Sequence, residues 1–247
     1  MQAFAYPNSP YPIRDDLPRT YRAAWQQLAA PGTWWSGAER VALAQETRNA
    51  LGCEFCARRK AALSPFTPLD GGHTTTTDLS PTAVDVVHRL TTDPSRLTDT
   101  WVEEVTANDL SLGQYVEAIS VVVTTLCIDA FHRGLGFELE PLPQPEPGQP
   151  SRYTPPGLER KTAWVPMIET AGEQEADLWG RTKMAPNVLR ALSLVPDAVR
   201  SWKELSDAQY IPLAEVQHPA ADGGRAISRA QTEFIAARVS ALNDCFY

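Results

Sequence analysis

A proline-rich segment, PLPQPEPGQPSRYTPPG, most restricts how this chain can fold; it runs from residue 141 to 157. Proline fixes the backbone φ angle and lacks an amide donor, so such a segment cannot be a helix interior. The composition instead predicts an extended, semi-rigid linker. The linker separates a first block, residues 1–140, from a second block, residues 158–247, and each block is long enough to bury a core.

Both blocks have helical patterns. Apolar residues recur at spacings of three and four, and long alternating runs typical of strands are missing from the sequence. Ser36 with Glu39, and Ser228 with Gln231, have the spacing of a capping box at a helix start. A long apolar helix is expected over residues 112–133, in the centre of the first block. We therefore predict an all-α protein made of two related helical blocks.

The composition argues against several classes of function. The formal net charge is -8 and basic residues form no long run, so we expect no nucleic-acid partner. The amino-terminal residues lack the pattern of a targeting signal, and we expect no membrane-spanning segment. Four cysteines in 247 residues do not resemble a secreted disulfide framework. A reducing cytoplasm is the expected location.

Cys53 and Cys56 form a Cys-x-x-Cys pair, the clearest indication of chemistry in the sequence. Arg58, Arg59 and Lys60 follow the pair, and cations near a thiol favour the reactive thiolate. One interpretation is a redox dithiol that cycles through a disulfide. The alternative is a pair of packed, unreactive cysteines.

Cys-x-x-Cys pairs also bind zinc, but a zinc site needs two further ligands. The four histidines, His73, His88, His132 and His218, are scattered singly along the chain. This distribution predicts no metal and no other cofactor. His88 and His132 are interpreted as packing or surface residues because neither has a nucleophile beside it in the sequence.

Three further residues are candidates for the site. Glu46 lies seven residues before Cys53, on the same helical face, and either approaches the dithiol or lies in solvent. Glu233 interrupts the apolar stretch TEFIAARV, which makes this carboxylate a functional candidate. Cys245 follows it by twelve residues and begins a second cysteine pattern near Tyr247.

Several stretches resemble the AhpD-like superfamily, which joins alkyl hydroperoxidases and carboxymuconolactone decarboxylases. The resemblance is to its peroxidase-related branch and covers most of the chain. It implies a compact all-α bundle that assembles as a homo-oligomer. The stretches are ERVALAQETRNALGCEFC and VEAISVVVTTLCIDAFHRGLGFELEPLP in the first block, with AWVPMI, PNVLRALSLVP and SRAQTEFIAARVSALNDCFY in the second.

The family motif is Glu-x11-Cys-x2-Cys-x3-His, in which glutamate and histidine relay protons to the cysteines. Carried over to the first block, it implies a peroxide-attacking Cys56 and a resolving Cys53. The glutamate position falls on Val41 and the histidine position on Lys60, so both relay residues differ. Lys60 is then expected to stabilise a thiolate as a cation, and Glu46 to replace the missing acid.

The second block matches the other half of the motif. Glu233 and Cys245 correspond to the family's glutamate and first cysteine, but the sequence stops at Tyr247 before the second cysteine and the histidine. We therefore expect this second domain to be incomplete.

The resemblance favours a thiol-dependent oxidoreductase that reduces a small peroxide and is restored by a thiol electron donor. One alternative is a carboxymuconolactone decarboxylase-like lyase or isomerase acting on a small acidic lactone. Another is a degenerate, non-catalytic member whose paired blocks serve assembly.

Overall fold

The computed structural model describes residues 3–161, 163–179, 185–216, 218–243 and 245. This part of the chain is mostly helical, which confirms the predicted all-α class. The helices are α1 (Asp16–Ala29), α2 (Gly37–Ala50), α3 (Glu54–Ala61), α4 (Pro81–Thr92), α5 (Asp99–Asn108), α6 (Leu112–Leu135), α7 (Asn187–Arg190), α8 (Pro196–Gln209) and α9 (Arg229–Leu242).

In the part of the chain that the structure describes, two short strands and two turns of 3-10 helix lie between the α-helices. The described residues contain a two-stranded antiparallel sheet, β1 (Leu158–Glu159) and β2 (Met167–Ile168), in which Leu158 lies opposite Ile168. Single turns of 3-10 helix occupy Pro94–Arg96 and Glu173–Glu175. The sequence pattern did not predict the small sheet, because two-residue strands are too short to show an alternating pattern.

The predicted capping boxes are present. The Ser36 hydroxyl accepts from the amide of Glu39, whose carboxylate accepts from the Ser36 amide in return, and Ser228 pairs with Gln231 in the same way. At the carboxyl end of α6, Gly136 adopts φ +73°, a left-handed conformation that glycine adopts at little cost. α6 therefore ends there, two residues beyond its predicted end.

Three helices form the centre of the first block, with α2 packed against α4 and α6, and α4 packed against α6. Leu43, Val86 and Val116, one from each helix, have no exposed surface. Contrary to the sequence-based expectation, α6 is long and apolar enough to cross a membrane. However, 56% of its most apolar window is buried inside the protein, as in the core helix of a folded domain.

The proline-rich linker contains no helix or strand and lies along the first block. Its Glu146 amide donates to the Ala29 carbonyl and its Arg152 amide to the Thr33 carbonyl, both at 2.8 Å. Beyond the linker, α8 packs against α1 and α6. Hydrophobic side chains from the two blocks, such as Val199 and Leu205 of α8, therefore belong to one continuous core cluster.

The apolar residues of α9 differ from those of the other long helices. Phe234, Ile235, Val239 and Leu242 are all more than half exposed, and Thr232 is the buried residue of this helix. α9 thus contributes little to the core.

Candidate active site

The cysteine pair lies where α2 ends and α3 begins. Cys53 is the residue that precedes α3, so its sulfur lies at the amino terminus of that helix. Cys53 and Cys56 are buried, 6% and 2% exposed, and both are free thiols. Burial opposes ionisation of Cys53, but hydrogen bonds from the Cys56 amide, the His73 ring and the Thr74 amide outweigh it and lower the pKa of this thiol.

His88 joins the cysteine pair to a carboxylate. This residue lies on α4 and has no exposed surface. Its Nδ1 atom is 3.3 Å from the Cys56 sulfur, and its Nε2 atom is 3.0 Å from Oε2 of Glu46. A buried thiol, imidazole and carboxylate are therefore linked in series, the arrangement that moves protons in many nucleophilic sites.

Glu46 is a fully buried residue of α2. Besides His88, its carboxylate accepts hydrogen bonds from the Thr75 hydroxyl, from the Thr77 hydroxyl at 2.7 Å and from the Thr76 amide at 3.2 Å. Burial alone would raise the pKa of Glu46, but these hydrogen bonds outweigh it and lower the pKa to about 2. Of the two positions considered for Glu46, the structure shows the one near the dithiol, with His88 between the carboxylate and the sulfur.

His73 comes from the loop between α3 and α4 and contacts both sulfurs. Its Nδ1 atom is 3.6 Å from the Cys53 sulfur and 3.5 Å from the Cys56 sulfur. Its Nε2 atom is 2.9 Å from Oδ1 of Asp85, one turn before His88 on α4. Burial would lower the pKa of His73, but Asp85 and the two thiols outweigh this effect and raise it to about 10.

A buried arginine also lies beside Cys56. The Arg59 guanidinium lies 3.9 Å from the Cys56 sulfur and pairs with Asp85 at 2.6 Å. Lys60, the cation expected from the family alignment, is exposed. Arg59 is three residues after Cys56 on α3, a spacing that brings the two side chains to one face of the helix.

These contacts favour the thiolate form of Cys56. Burial would raise the pKa of this thiol, but hydrogen bonds from His73, His88 and Thr92 outweigh it and lower the pKa to about 5. Cys56 is therefore ionised at neutral pH. Its geometry suits a nucleophile better than the packed, unreactive pair that the sequence also allowed.

The candidates from the second block lie outside this cluster. Glu233 is half-exposed on α9, where it pairs with Arg229 and accepts from the Tyr210 hydroxyl. Cys245 is exposed.

His132, in the first block, matches the packing interpretation, since its ring is buried and contacts the Tyr6 hydroxyl and the Glu138 carbonyl.

The sequence reasoning missed His73, His88 and Asp85 as site residues. His73 and His88 were dismissed because they stand alone in the sequence, yet the structure brings both onto the cysteine pair. A usable signal was present: His88 and Glu46 each interrupt the buried face of a helix. A buried ionisable group needs a partner, and two such groups on neighbouring helices can satisfy each other.

The cluster can also offer ligands to a cation. One ligand atom from each of Cys53, Cys56, His73 and His88 lies within 4.8 Å of all the others. Among the described residues, these four side chains form the one group of histidine, cysteine or acidic residues placed closely enough to hold a metal ion. The premise that two further ligands are lacking was therefore wrong.

Comparisons of the chain with protein-family models, with curated proteins and with solved structures find no match.

Proposed function

We propose that the protein is a thiol-dependent oxidoreductase that reduces small peroxides, with Cys56 as the nucleophile and Cys53 as the resolving thiol. The series of contacts from the Cys56 sulfur through His88 to Glu46 carries this proposal. A thiolate with an imidazole in contact can attack and have its leaving group protonated in the same site.

In the first step the Cys56 thiolate attacks the terminal oxygen of a hydroperoxide. The sulfur–oxygen bond forms as the oxygen–oxygen bond breaks, and two electrons pass from sulfur to the peroxide. Glu46 stabilises His88 as the protonated imidazole, which then gives its proton to the leaving alkoxide, and an alcohol departs. Cys56 remains as a sulfenic acid.

In the second step Cys53 resolves the sulfenic acid. Its thiolate attacks the Cys56 sulfur, the disulfide forms, and hydroxide leaves and is protonated to water. His73, which contacts both sulfurs, is placed to donate that proton. The sulfurs lie within 4.8 Å, so local side-chain rotation must bring them to the disulfide bond length of about 2.04 Å. An external thiol donor then reduces the disulfide.

The resemblance to hydroperoxidases supports the same assignment. The family motif has its glutamate at the position of Val41 and its histidine at the position of Lys60. Neither Val41 nor Lys60 can replace the carboxylate or the imidazole. Glu46 and His88 supply both groups from other positions, and this favours catalysis over a degenerate assembly role. A lactone lyase would also use a proton-transfer pair such as His88 and Glu46, but it would need no dithiol, so the contacts of the two cysteines with this site favour the oxidoreductase. A reducing cytoplasm, where a thiol donor is present, is the proposed location.

The test is a thiol count before and after addition of an organic hydroperoxide to the reduced, metal-free protein. Of the four cysteines, we expect two to be lost, with peptide mass spectrometry showing a Cys53–Cys56 disulfide that a dithiol reductant reverses. The Cys245→Ser variant is the control and should lose the same two thiols. Four unreacted thiols, or turnover of a small acidic lactone by the Cys53→Ser, Cys56→Ser double variant, would refute the proposal.

A further inference from the structure

The two site histidines present the same ring nitrogen to the sulfurs. His88 directs Nδ1 to Cys56 at 3.3 Å, and His73 directs Nδ1 to Cys56 at 3.5 Å and to Cys53 at 3.6 Å. Four donors, two thiols and two imidazoles, therefore converge on one point from α3, α4 and the loop between them.

The spacing of these donors fits a tetrahedral zinc ion. With Zn–S bonds of about 2.3 Å and Zn–N bonds of about 2.0 to 2.1 Å, a tetrahedral ion holds sulfur and nitrogen ligands about 3.6 Å apart. Three of the four sulfur–nitrogen distances, 3.3 to 3.6 Å, lie close to that value, and all four ligand atoms lie within 4.8 Å of one another. Thiolate and imidazole ligands in this geometry favour zinc among the common divalent cations.

The surroundings of the histidines provide a second, independent indication. Each imidazole turns its other nitrogen, Nε2, to a carboxylate: His88 to Glu46 at 3.0 Å and His73 to Asp85 at 2.9 Å. A metal-binding histidine typically donates its second N–H to such an acceptor, which fixes the tautomer and orients the ring. Both histidines are therefore held with Nδ1 directed at the sulfurs, where each would bind a cation in exchange for its Nδ1 proton.

We propose that the reduced cluster binds one zinc ion through Cys53, Cys56, His73 and His88, and that oxidation of the cysteine pair by peroxide releases it. The release step rests on the function proposed above, whereas zinc binding does not. Zinc occupies the Cys56 sulfur and His88 Nδ1, so the bound form is protected from peroxide until a ligand dissociates.

The release step balances as a two-electron oxidation. Once the Cys56 sulfur dissociates from zinc, its thiolate and that of Cys53 give up two electrons to the hydroperoxide, whose oxygen–oxygen bond breaks, and two protons from solvent complete the alcohol and the water. The products are the Cys53–Cys56 disulfide, one alcohol, one water and one free Zn²⁺. A disulfide offers no thiolate to zinc, so only the two imidazoles would remain as ligands.

Zinc binding is tested on the reduced, chelator-treated protein without peroxide. Titration with Co²⁺ should saturate at one equivalent per chain and give thiolate-to-cobalt charge-transfer absorption with the visible bands of tetrahedral cobalt. Zn²⁺ should abolish these bands by displacing the cobalt. Absence of one-to-one binding, or octahedral cobalt spectra alone, would refute the site.

Matched variants locate the ligands. His73→Asn and His88→Asn should each weaken zinc binding by more than about tenfold, while His218→Asn and Cys245→Ser, at exposed positions, should leave it unchanged. Asp85→Asn keeps all four ligands and should weaken binding about 10- to 100-fold by removing the partner of His73. Unchanged affinity in both ligand variants, with helical content retained by circular dichroism, would overturn the assignment.

Release is measured on the zinc-loaded protein with a chromogenic zinc chelator present. After addition of an organic hydroperoxide, we expect one zinc to appear for every two thiols lost. If hydroperoxide oxidises the thiols of both the metal-free and the zinc-loaded protein but the loaded protein keeps its zinc, the release step is wrong. If the metal-free thiols do not react at all, the proposed oxidoreductase function fails, and zinc binding stands by its own titration.

Discussion

Among the single residues, Cys56 lies at the centre of the site. Its sulfur contacts His73, His88 and Arg59, three groups able to carry positive charge. In a buried position such charges act strongly, because little water separates them from the sulfur. The same contacts that ionise this thiol would also position it for a metal ion.

The pH dependence of Cys56 reactivity follows from its pKa of about 5. The thiolate is the reactive form and exists above the pKa. In the metal-free protein we expect alkylation of Cys56 to speed up as pH rises to about 6 and then to stay constant to about pH 8, whereas an ordinary thiol gains rate toward about pH 8.5. Iodoacetamide labelling followed by peptide mass spectrometry measures this rate. A rate still rising about tenfold per unit between pH 6 and 8 would contradict the expectation.

Replacement of His88 tests the proton relay. We expect His88→Asn to slow the reaction with hydroperoxide by about 10²- to 10⁴-fold, the usual contribution of a positioned acid or base. Stopped-flow measurement of thiol oxidation in the metal-free protein gives the rate. The exposed His218→Asn variant is the matched control and should react at the original rate. Equal rates in the two variants would remove His88 from the mechanism.

At the scale of elements, the loop between α3 and α4 closes the site. Residues 62–80 contain no helix or strand, yet His73 and the threonines Thr75, Thr76 and Thr77 attach this loop to the cysteines and to Glu46. A loop without its own core is held by such polar contacts. A zinc ion would add a strong link between it and the helices.

Zinc should therefore stabilise the folded protein and this loop in particular. At free zinc 100-fold above the dissociation constant, the free energy of unfolding should rise by about 2.7 kcal/mol if only the native state binds. Denaturant titrations with zinc and with a chelator measure the difference. Hydrogen exchange should show added protection in residues 62–80. His73→Asn should lose most of the zinc-dependent gain, and an undiminished gain in this variant would contradict the model of the site.

At the scale of the whole molecule, residues on both sides of the proline-rich linker build one hydrophobic core. α8 brings Val199 and Leu205 onto α1 and α6, and the linker is hydrogen-bonded to the turn after α1. α6 in turn packs against α2 and α4, which carry Glu46 and His88. The second block thus supports the helices that position the site.

This arrangement predicts a large effect of a substitution far from the cysteines in sequence. Leu205 is 4% exposed, and Leu205→Ala should lower the free energy of unfolding by about 2–5 kcal/mol, as expected for a buried leucine. Urea unfolding followed by circular dichroism measures it. Leu242→Ala, at a residue 65% exposed on α9, is the control and should change stability by less than about 0.5 kcal/mol. Similar losses in both variants would contradict the shared core.

Local sequence patterns were enough to predict the helical class and the helix starts that carry a capping box. A capping box such as Ser36 with Glu39 acts through neighbours in the chain, so the local pattern is enough to predict it. The cysteine pair was equally visible, because three residues on a helix bring two sulfurs to one face.

The surroundings of the cysteine pair depend on how the helices pack. His88 meets Glu46 across 42 residues of chain and Cys56 across 32, and both contacts exist because α4 packs against α2 and α3. No spacing rule reaches that far, since such contacts depend on which buried faces meet. Glu46 and His88 stand out in the sequence because each interrupts the apolar face of a helix. Helix packing then brings them together with the dithiol, which gives the cluster its proton relay and its cation ligands.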